Sequence, residues 1–365
     1  MRIGIDAHIL GKHQGGVERY VKEIVTRVPL LLNEHRFFVF VNRQYGKTVR
    51  NRDNIKYIVT PISDPVVQRS VILPFLVNKL RIDILHTQRV LPFFVNCKCL
   101  VSIHDILPLS MPENHKGLRN EIIRKLTPWS AGKALRILTV SETVKREITS
   151  ILNVSKSKVK TVYNGIDHRT GKEIKCDISI GSPYILYSGA IEPRKNLLYM
   201  LKGFKLACKK FPDPLKLVIA GMDRNNEYKK ELCNLIKEEN IDNRIIFAGY
   251  VSDSTLDVLY GNAEIFMAPS MGEGFDMPPL EAMKKRTPVI CSDIEVHREL
   301  LSGSALFFQF DSPEDLAEKV VLLLSNPVKN KDLIARGIET ANKFTWDRMA
   351  CQTAEIYKET GKTRT

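Results

Sequence analysis

No stretch of this chain approaches the roughly 18 consecutive apolar residues that a membrane-spanning helix needs. The best candidates, Val71–Val77 and the run around Leu30–Leu32, are broken by Pro74 and by Arg27 and Pro29. The opening Met1-Arg2-Ile3-Gly4-Ile5-Asp6 lacks the apolar segment of a signal peptide and reads as a first strand, an expectation of a cytoplasmic protein. Cysteine is sparse: seven in 365 residues, an odd number with no CxxC pair. That argues against a disulfide framework and against a zinc ribbon. Cys97-Lys98-Cys99 reads as two strand residues on one face, and the other cysteines as small core residues. There is no short repeat and no low-complexity segment. A GxGxxG fingerprint is missing, which lowers a NAD-dependent dehydrogenase. A strand-flanked DxD and a histidine cluster are missing as well, so no metal site is expected.

What the chain has in excess is positive charge, and the excess is local. The net charge is +14; residues 1–170 hold 28 Lys+Arg against 13 Asp+Glu, and the remainder holds 27 against 28. Such asymmetry points to an anionic partner for the first half, whether nucleic acid, a membrane surface or a phosphorylated acceptor.

Short β-branched or aromatic runs alternate with amphipathic stretches nearly throughout, the pattern of βα units around parallel sheets. A first series of strands runs from Ile3–Ile9 to Val159–Tyr163, and a second from Tyr184–Tyr187 to Leu306–Phe308. Helices are predicted at Gly16–Leu32, Gln68–Leu80, Leu118–Lys125, Asn196–Phe211, Pro279–Lys285 and Lys331–Phe344, among others. The polar segment Asn164–Ser182, with three glycines and no periodicity, reads as a linker. The expected fold class is α/β, with two Rossmann-like doubly wound domains facing a cleft. The N-terminal domain is 1–170, completed by a C-terminal helix at 346–360, and the second domain is 171–345. Ligands of such sheets sit at the carboxyl ends of the strands, so the βα loops are the places to search.

Four loops stand out. Pro269-Ser270-Met271-Gly272-Glu273-Gly274-Phe275-Asp276-Met277-Pro278-Pro279-Leu280-Glu281 follows an apolar run and opens a helix. Gly272 and Gly274 allow close backbone approach, and the helix start favours an anion such as a diphosphate. Glu273 and Glu281 lie eight positions apart, one suited to a sugar and the other to ribose hydroxyls. Ser188-Gly189-Ala190-Ile191-Glu192-Pro193-Arg194-Lys195-Asn196 places two cations at a helix start, against the dipole preference unless an anion lies there. Val101-Ser102-Ile103-His104-Asp105 ends a strand with a histidine able to meet a hydroxyl or a phosphate oxygen. Gln14-Gly15-Gly16-Val17-Glu18 follows strand one and permits close backbone approach.

Together these loops resemble the retaining glycosyltransferases of family 4, which have the GT-B fold, over nearly the whole chain. Gly15-Gly16 matches the first-loop glycine pair, His104-Asp105 the strand-end histidine and its neighbour, Arg194-Lys195 the basic phosphate pair, and Glu273 with Glu281 the E-x7-E motif. Thr139-Val140-Ser141-Glu142 and Val162-Tyr163-Asn164-Gly165-Ile166-Asp167 also look like family phrases. The resemblance implies a nucleoside diphosphate sugar donor, retention of anomeric configuration and no metal or other cofactor. It assigns catalysis to His104, Arg194, Lys195 and Glu273. The donor would also meet Gly15, Gly16, Gly189, Gly274, Phe275, Asp276, Pro279, Leu280 and Glu281, with Tyr250 and Val251 beside the base. Two positions depart from the family: Ala190 stands where many members have arginine, and Asp276 where glycine is common. Many members of the branch with the EPRKN phrase are mannosyltransferases, so GDP-mannose is favoured. A UDP-hexose, a UDP-N-acetylhexosamine and dTDP-rhamnose are alternatives.

A non-hydrolysing sugar-nucleotide epimerase shares the fold but would need further acids and bases. A nucleic-acid-binding protein would interleave aromatics with its basic residues, and the first half does not. The expected acceptor is a glycan or lipid-linked glycan. The stretch 116–136, with Lys116, Arg119, Arg124, Lys125, Lys133 and Arg136 among Leu118, Ile122, Ile123, Leu126 and Trp129, suits peripheral contact with an anionic membrane.

Overall fold

The structure, a computed structural model, describes residues 1–12, 15–60, 67–114, 117–166, 180–181, 183–210 and 215–363, without the side chains of Asn114 and Arg119. Contacts divide it into two compact units, Met1–Gly165 with Thr345–Thr365, and Ile166–Phe344. The sequence-based boundary lay at 170/171; most of the expected linker falls outside the described residues.

The first unit is built on a parallel sheet of β1 (Arg2–Asp6), β2 (Arg36–Val41), β3 (Ile55–Val59), β4 (Ile84–Gln88), β5 (Lys98–Ser102), β6 (Arg136–Thr139) and β7 (Val159–Thr161). Their order is β3-β2-β1-β4-β5-β6-β7. Its central strands β1, β4 and β5 are buried along nearly their whole length, polar residues such as Asp6, His86 and Gln88 included, as expected where helices cover both faces. In β2, Phe37 to Val41 are all buried. The helix Gly16–Leu31 buries Tyr20, Val21, Ile24, Val25 and Val28, one face at helical spacing. The C-terminal helix Trp346–Lys362, capped by the Thr345 hydroxyl, packs against it and buries Trp346, Met349, Ala350, Thr353 and Tyr357. Gly165 lies at this return: a Cβ there would stand 2.1 Å from the Trp346 nitrogen.

The second unit has a parallel sheet of β8 (Tyr184–Ser188), β9 (Lys216–Ala220), β10 (Ile245–Gly249), β11 (Ile265–Ala268), β12 (Val289–Ser292) and β13 (Leu306–Phe308). The order β10-β9-β8-β11-β12-β13 repeats the winding of the first sheet. Phe204, Leu217, Ile219, Met267, Phe308 and Leu316 belong to its core. The topological switch falls between β1 and β4 in one unit and between β8 and β11 in the other, which is where ligands bind in such sheets. Both domains of the expected α/β class are thus present.

Two helices differ from the reading of the sequence. Gln68–Leu80 divides into a π-helical turn, Gln68–Ile72, and an α-helix, Leu73–Lys79. Pro74 has no N–H to continue the ladder, and the hydrogen bonding resets there. Leu118–Lys125 instead continues to Lys133 through Pro128. Burial of Thr127, Ser130 and Ala131 outweighs the lost backbone bond. The six described cysteines are free thiols; Cys176 lies outside the described residues.

Candidate active site

The ends of β8 and β11 carry the two richest loops, and the fold brings them into contact. The Met271 N–H donates to the Arg194 carbonyl at 3.0 Å, and Arg194 Nη1 donates to the Gly272 carbonyl at 2.8 Å. Glu273 Oε1 then receives both cations, Lys195 Nζ at 2.5 Å and Arg194 Nη1 at 2.6 Å. Arg194 Nη2 also reaches Glu192 at 2.7 Å. Lys195 is only 8% exposed. Burial alone would lower its pKa, but the Asp276 and Glu273 carboxylates reverse that and raise it. It therefore remains an ammonium at any physiological pH. Asn196, which follows, sits in the left-handed region at φ 57° and donates its side-chain amide to the Phe310 carbonyl at 2.6 Å.

Asp276 is also left-handed, with φ 62°. That conformation favours glycine, and an aspartate there costs about 1–2 kcal/mol. Its carboxylate is held on both sides, Oδ1 3.4 Å from Lys195 Nζ and Oδ2 3.1 Å from His297 Nε2. Burial would raise its pKa, but Lys195, His297 and Arg194 hold it well below the usual carboxylate range. The helix Met277–Lys284 follows, with Pro278 and Pro279 at its second and third positions. Two of its terminal N–H groups are therefore missing, and the Arg194 and Lys195 side chains supply the positive charge beside this helix start. The side chains of Phe275, Pro279 and Leu280 are buried, Phe275 edge-on to Phe344. What these three and the buried Gly274 can offer a donor is backbone.

Glu281 accepts a hydrogen bond from the Tyr260 hydroxyl at 3.2 Å. On the far side of β8, a cavity of about 340 Å³ is lined by Ile191, Met222, Asp223, Lys229, Phe247 and Tyr250. Tyr250 is 65% exposed, and Val251 is half-buried beside it. Gly189 and Gly221 let the ends of β8 and β9 touch: a Cβ on Gly221 would fall 1.7 Å from the Gly189 carbonyl oxygen.

In the first unit, His104 lies just past the end of β5, 8% exposed. Its Nε2 pairs with Gln88 Oε1 at 3.0 Å, and its ring meets Tyr20 edge-on at 4.6 Å. Burial lowers its pKa to about 4, so the ring is neutral at pH 7. With Nε2–H donating to Gln88, Nδ1 is left as an acceptor. Behind it runs a buried polar chain: Tyr20 Oη to Ser102 Oγ at 2.7 Å, Ser102 Oγ to His86 Nε2 at 2.7 Å, and His86 Nδ1 to Tyr357 Oη at 2.6 Å. Gly15 has φ 65° and caps the helix that Gly16 opens, with open space where a Cβ would stand. The preceding residues 13–14 lie outside the described residues.

Residues 14–170 match the family model Glycosyltransferase Family 4, and residues 173–340 match Glycosyl transferases group 1. The chain is a family 4 glycosyltransferase. It is 29% identical over 249 residues to the O-antigen chain mannosyltransferase RfbU of Salmonella typhimurium, covering 68% of this chain and 66% of that one. Identity to the O-antigen chain mannosyltransferase B of Escherichia coli is 27% over 269 residues, 72% of this chain and 70% of that one. The matches thus span about two thirds of the length of these relatives. The solved structure of HepE from Anabaena, in complex with UDP-glucose, superposes with a TM-score of 0.76 over 98% of this chain and 100% of that one. Its identity is 17%, so it shows the shared GT-B fold alone.

Some residues packed around these loops of the glycosyltransferase carry no signal in the sequence. His297, fully buried, lies in the helix Glu295–Leu301 after β12, within a stretch that matches no chemical motif. Lys229, Asp223 and Tyr260 are single residues on ordinary helices or loops. Only their neighbours in space give them meaning.

Proposed function

We propose that this glycosyltransferase moves mannose from GDP-mannose to a glycan or lipid-linked glycan, with retention of anomeric configuration and without a metal. The observation that carries the reading is the convergence of Arg194 and Lys195 on Glu273 at the ends of β8 and β11. Cleavage of the anomeric C–O bond leaves negative charge on the departing phosphate and builds positive charge on the sugar. Two fixed cations beside a nearly buried carboxylate are suited to both, and they act without reorganising during the reaction. Glu273 would hold sugar hydroxyls, and Glu281 the ribose. The cavity at Tyr250 and Lys229 would take the base. His104, neutral and with an acceptor nitrogen free of its glutamine bond, is suited to receive a sugar hydroxyl. No carboxylate nucleophile is assigned, and the spacing rules of two-carboxylate glycosidases do not apply. Mannose is favoured because the relatives RfbU and mannosyltransferase B are named as mannosyltransferases.

A screen of nucleotide sugars by thermal stabilisation, followed by NMR of the product linkage, tests this reading. Stabilisation by GDP and GDP-mannose with an axial-to-axial product supports it. Stabilisation by UDP or dTDP alone overturns the donor assignment. Activity should survive EDTA, and loss restored by magnesium or manganese overturns the metal-free mechanism.

The same proposal places the enzyme at the cytoplasmic face of a membrane, held by its basic first half. Among the described residues no helix is long and apolar enough to cross a membrane. The helix Leu118–Lys133 separates into two parts: Leu118 and Ile122 are exposed, whereas Trp129 packs on Phe93 and the core. Phe94, 87% exposed, is another apolar side chain on the surface of this unit, as are Val71 and Phe75. Each basic residue near an anionic surface adds about 1 kcal/mol, lost at high salt. Equal sedimentation with neutral and anionic vesicles at low salt would overturn the membrane assignment.

A further inference from the structure

His297 lies outside every loop that carries a family motif, yet its surroundings fix its charge. Nε2 faces Asp276 Oδ2 at 3.1 Å. Nδ1 faces the Ser292 carbonyl at 2.9 Å and the Ser292 hydroxyl oxygen at 3.2 Å. That hydroxyl gives its proton to the Ser270 carbonyl, so toward the ring it is an acceptor. A neutral imidazole has one N–H and would turn a lone pair toward an acceptor on one side. With a carboxylate at one nitrogen and a carbonyl at the other, both nitrogens must donate. The neighbouring Cys291 thiol is fully buried, and burial pushes its pKa up, so it stays neutral and leaves Asp276 as the counter-charge. Burial opposes protonation of His297, whereas the adjacent Cys291 sulfur and the Asp276 carboxylate raise its pKa above that of a free imidazole.

The charge balance of the cluster then depends on this residue. Glu192, Glu273 and Asp276 face Arg194 and Lys195. Without His297 the group carries one net negative charge; with it protonated the group is neutral. Lys195 has three N–H donors, of which Glu273 takes one at 2.5 Å and Asp276 only a longer contact at 3.4 Å. An uncompensated Asp276 would draw the ammonium toward itself and oppose an incoming diphosphate.

We propose that His297 is a positioning residue of the donor site, a buried imidazolium that cancels Asp276 so that Arg194 and Lys195 keep their positive charge for an anionic donor. This rests on the reading that those two cations receive the donor diphosphate.

The test combines binding and spectroscopy on the full chain. Affinities for GDP and for UDP are measured by titration in the wild type, Lys195→Ala, His297→Gln and the double variant Asp276→Asn/His297→Gln. His297→Gln should weaken the nucleotide that the wild type binds by about tenfold, the order of one short-range charge interaction in a partly screened site. The double variant, in which the extra negative charge is gone, should recover most of that loss. A merely structural histidine would show no such recovery. NMR of ¹⁵N-histidine protein at pH 8 should show a doubly protonated ring, and Asp276→Asn should abolish that signal alone. Wild-type affinity in His297→Gln, or a double variant no better than the single one, overturns the inference. If His297→Gln does not fold, the NMR of the wild type decides, and eight neutral rings at pH 8 overturn it. If instead Lys195→Ala binds both nucleotides as the wild type does, the donor-site reading itself has failed.

Discussion

Replacing Lys195 with alanine removes the ammonium at the centre of the charged cluster, and the structure sets the size of two separate effects. Removing one partner of a buried ion pair commonly costs about 3–5 kcal/mol, because the other charge is left alone. Here neither carboxylate is left alone: Glu273 keeps Arg194 at 2.6 Å, and Asp276 keeps His297 at 3.1 Å. The stability loss should therefore be about 1–3 kcal/mol, the range of a lost charged hydrogen bond. In a domain of this size that lowers Tm by about 2–4 °C per kcal/mol. The kinetic effect should be larger. A fixed donor aimed at developing negative charge contributes about 3–4 kcal/mol, so kcat/KM should fall about 10²–10³-fold. Arg194→Ala should cost less, because its other bonds, to Glu192 and to the Gly272 carbonyl, serve the loop rather than a ligand. Initial rates at saturating acceptor, with melting curves of the same preparations, separate the two effects. A folded Lys195→Ala enzyme with kcat/KM within about threefold of wild type would refute the reasoning, as would a larger loss from Arg194→Ala.

Glu281→Ala should weaken nucleotide binding by about 1–3 kcal/mol with little change in Tm, and Tyr260→Phe, which removes only the hydroxyl bonded to it, should weaken binding less. Equal affinities in all three proteins would remove Glu281 from the donor site. Gly221→Ala forces a Cβ to within 1.7 Å of the Gly189 carbonyl oxygen, a backbone contact that cannot swing aside, so it should unfold the protein or lower its Tm sharply. An unchanged melting curve would show that the ends of β8 and β9 are less close than described. The pH dependence has opposite signs in the two units. Burial holds His86 at about 3 and His104 at about 4, so the unfolded chain, titrating near 6.5, binds protons that the folded unit does not. Stability of the first unit is thus full above about pH 6.5 and falls as the pH drops toward 4. His297, raised to about 10, stabilises the second unit below about 6.5 and ceases to do so as the pH rises through 10. Both tryptophans, Trp129 and Trp346, belong to the first unit, so their fluorescence follows its unfolding. A Tm by tryptophan emission that is the same at pH 7 and pH 5 would contradict the buried neutral histidines.

The α/β class was legible because its signal is local. Runs such as Phe37 to Val41 and Leu217 to Ala220 are apolar on both faces, and the helix Gly16–Leu31 repeats its apolar residues at helical spacing. A window of a dozen residues contains that information. The loops after β8 and β11 were also legible, since glycine, proline and paired charges at the junction of a strand and a helix are unusual in sequence. Errors arose where one residue changes a local rule or burial overrides it, as at Pro74, which divides a helix, and Pro128, which does not.

What Glu273 touches was not legible. Lys195 and Glu273 are 78 positions apart, and they meet because β8 and β11 are neighbours in the sheet although two strands separate them in the chain. Asp276 looked like an ordinary substitution for glycine; its left-handed backbone and its bond to His297 exist only in the folded loop. His297 itself offered no spacing to notice. Local sequence specifies elements through periodicity and turn chemistry, whereas the protonation and orientation of a buried side chain depend on desolvation and on partners delivered by distant strands. The sequence therefore determined which loops gather glycine, proline and charge at the ends of strands, and the tertiary structure decided which charges face one another within them.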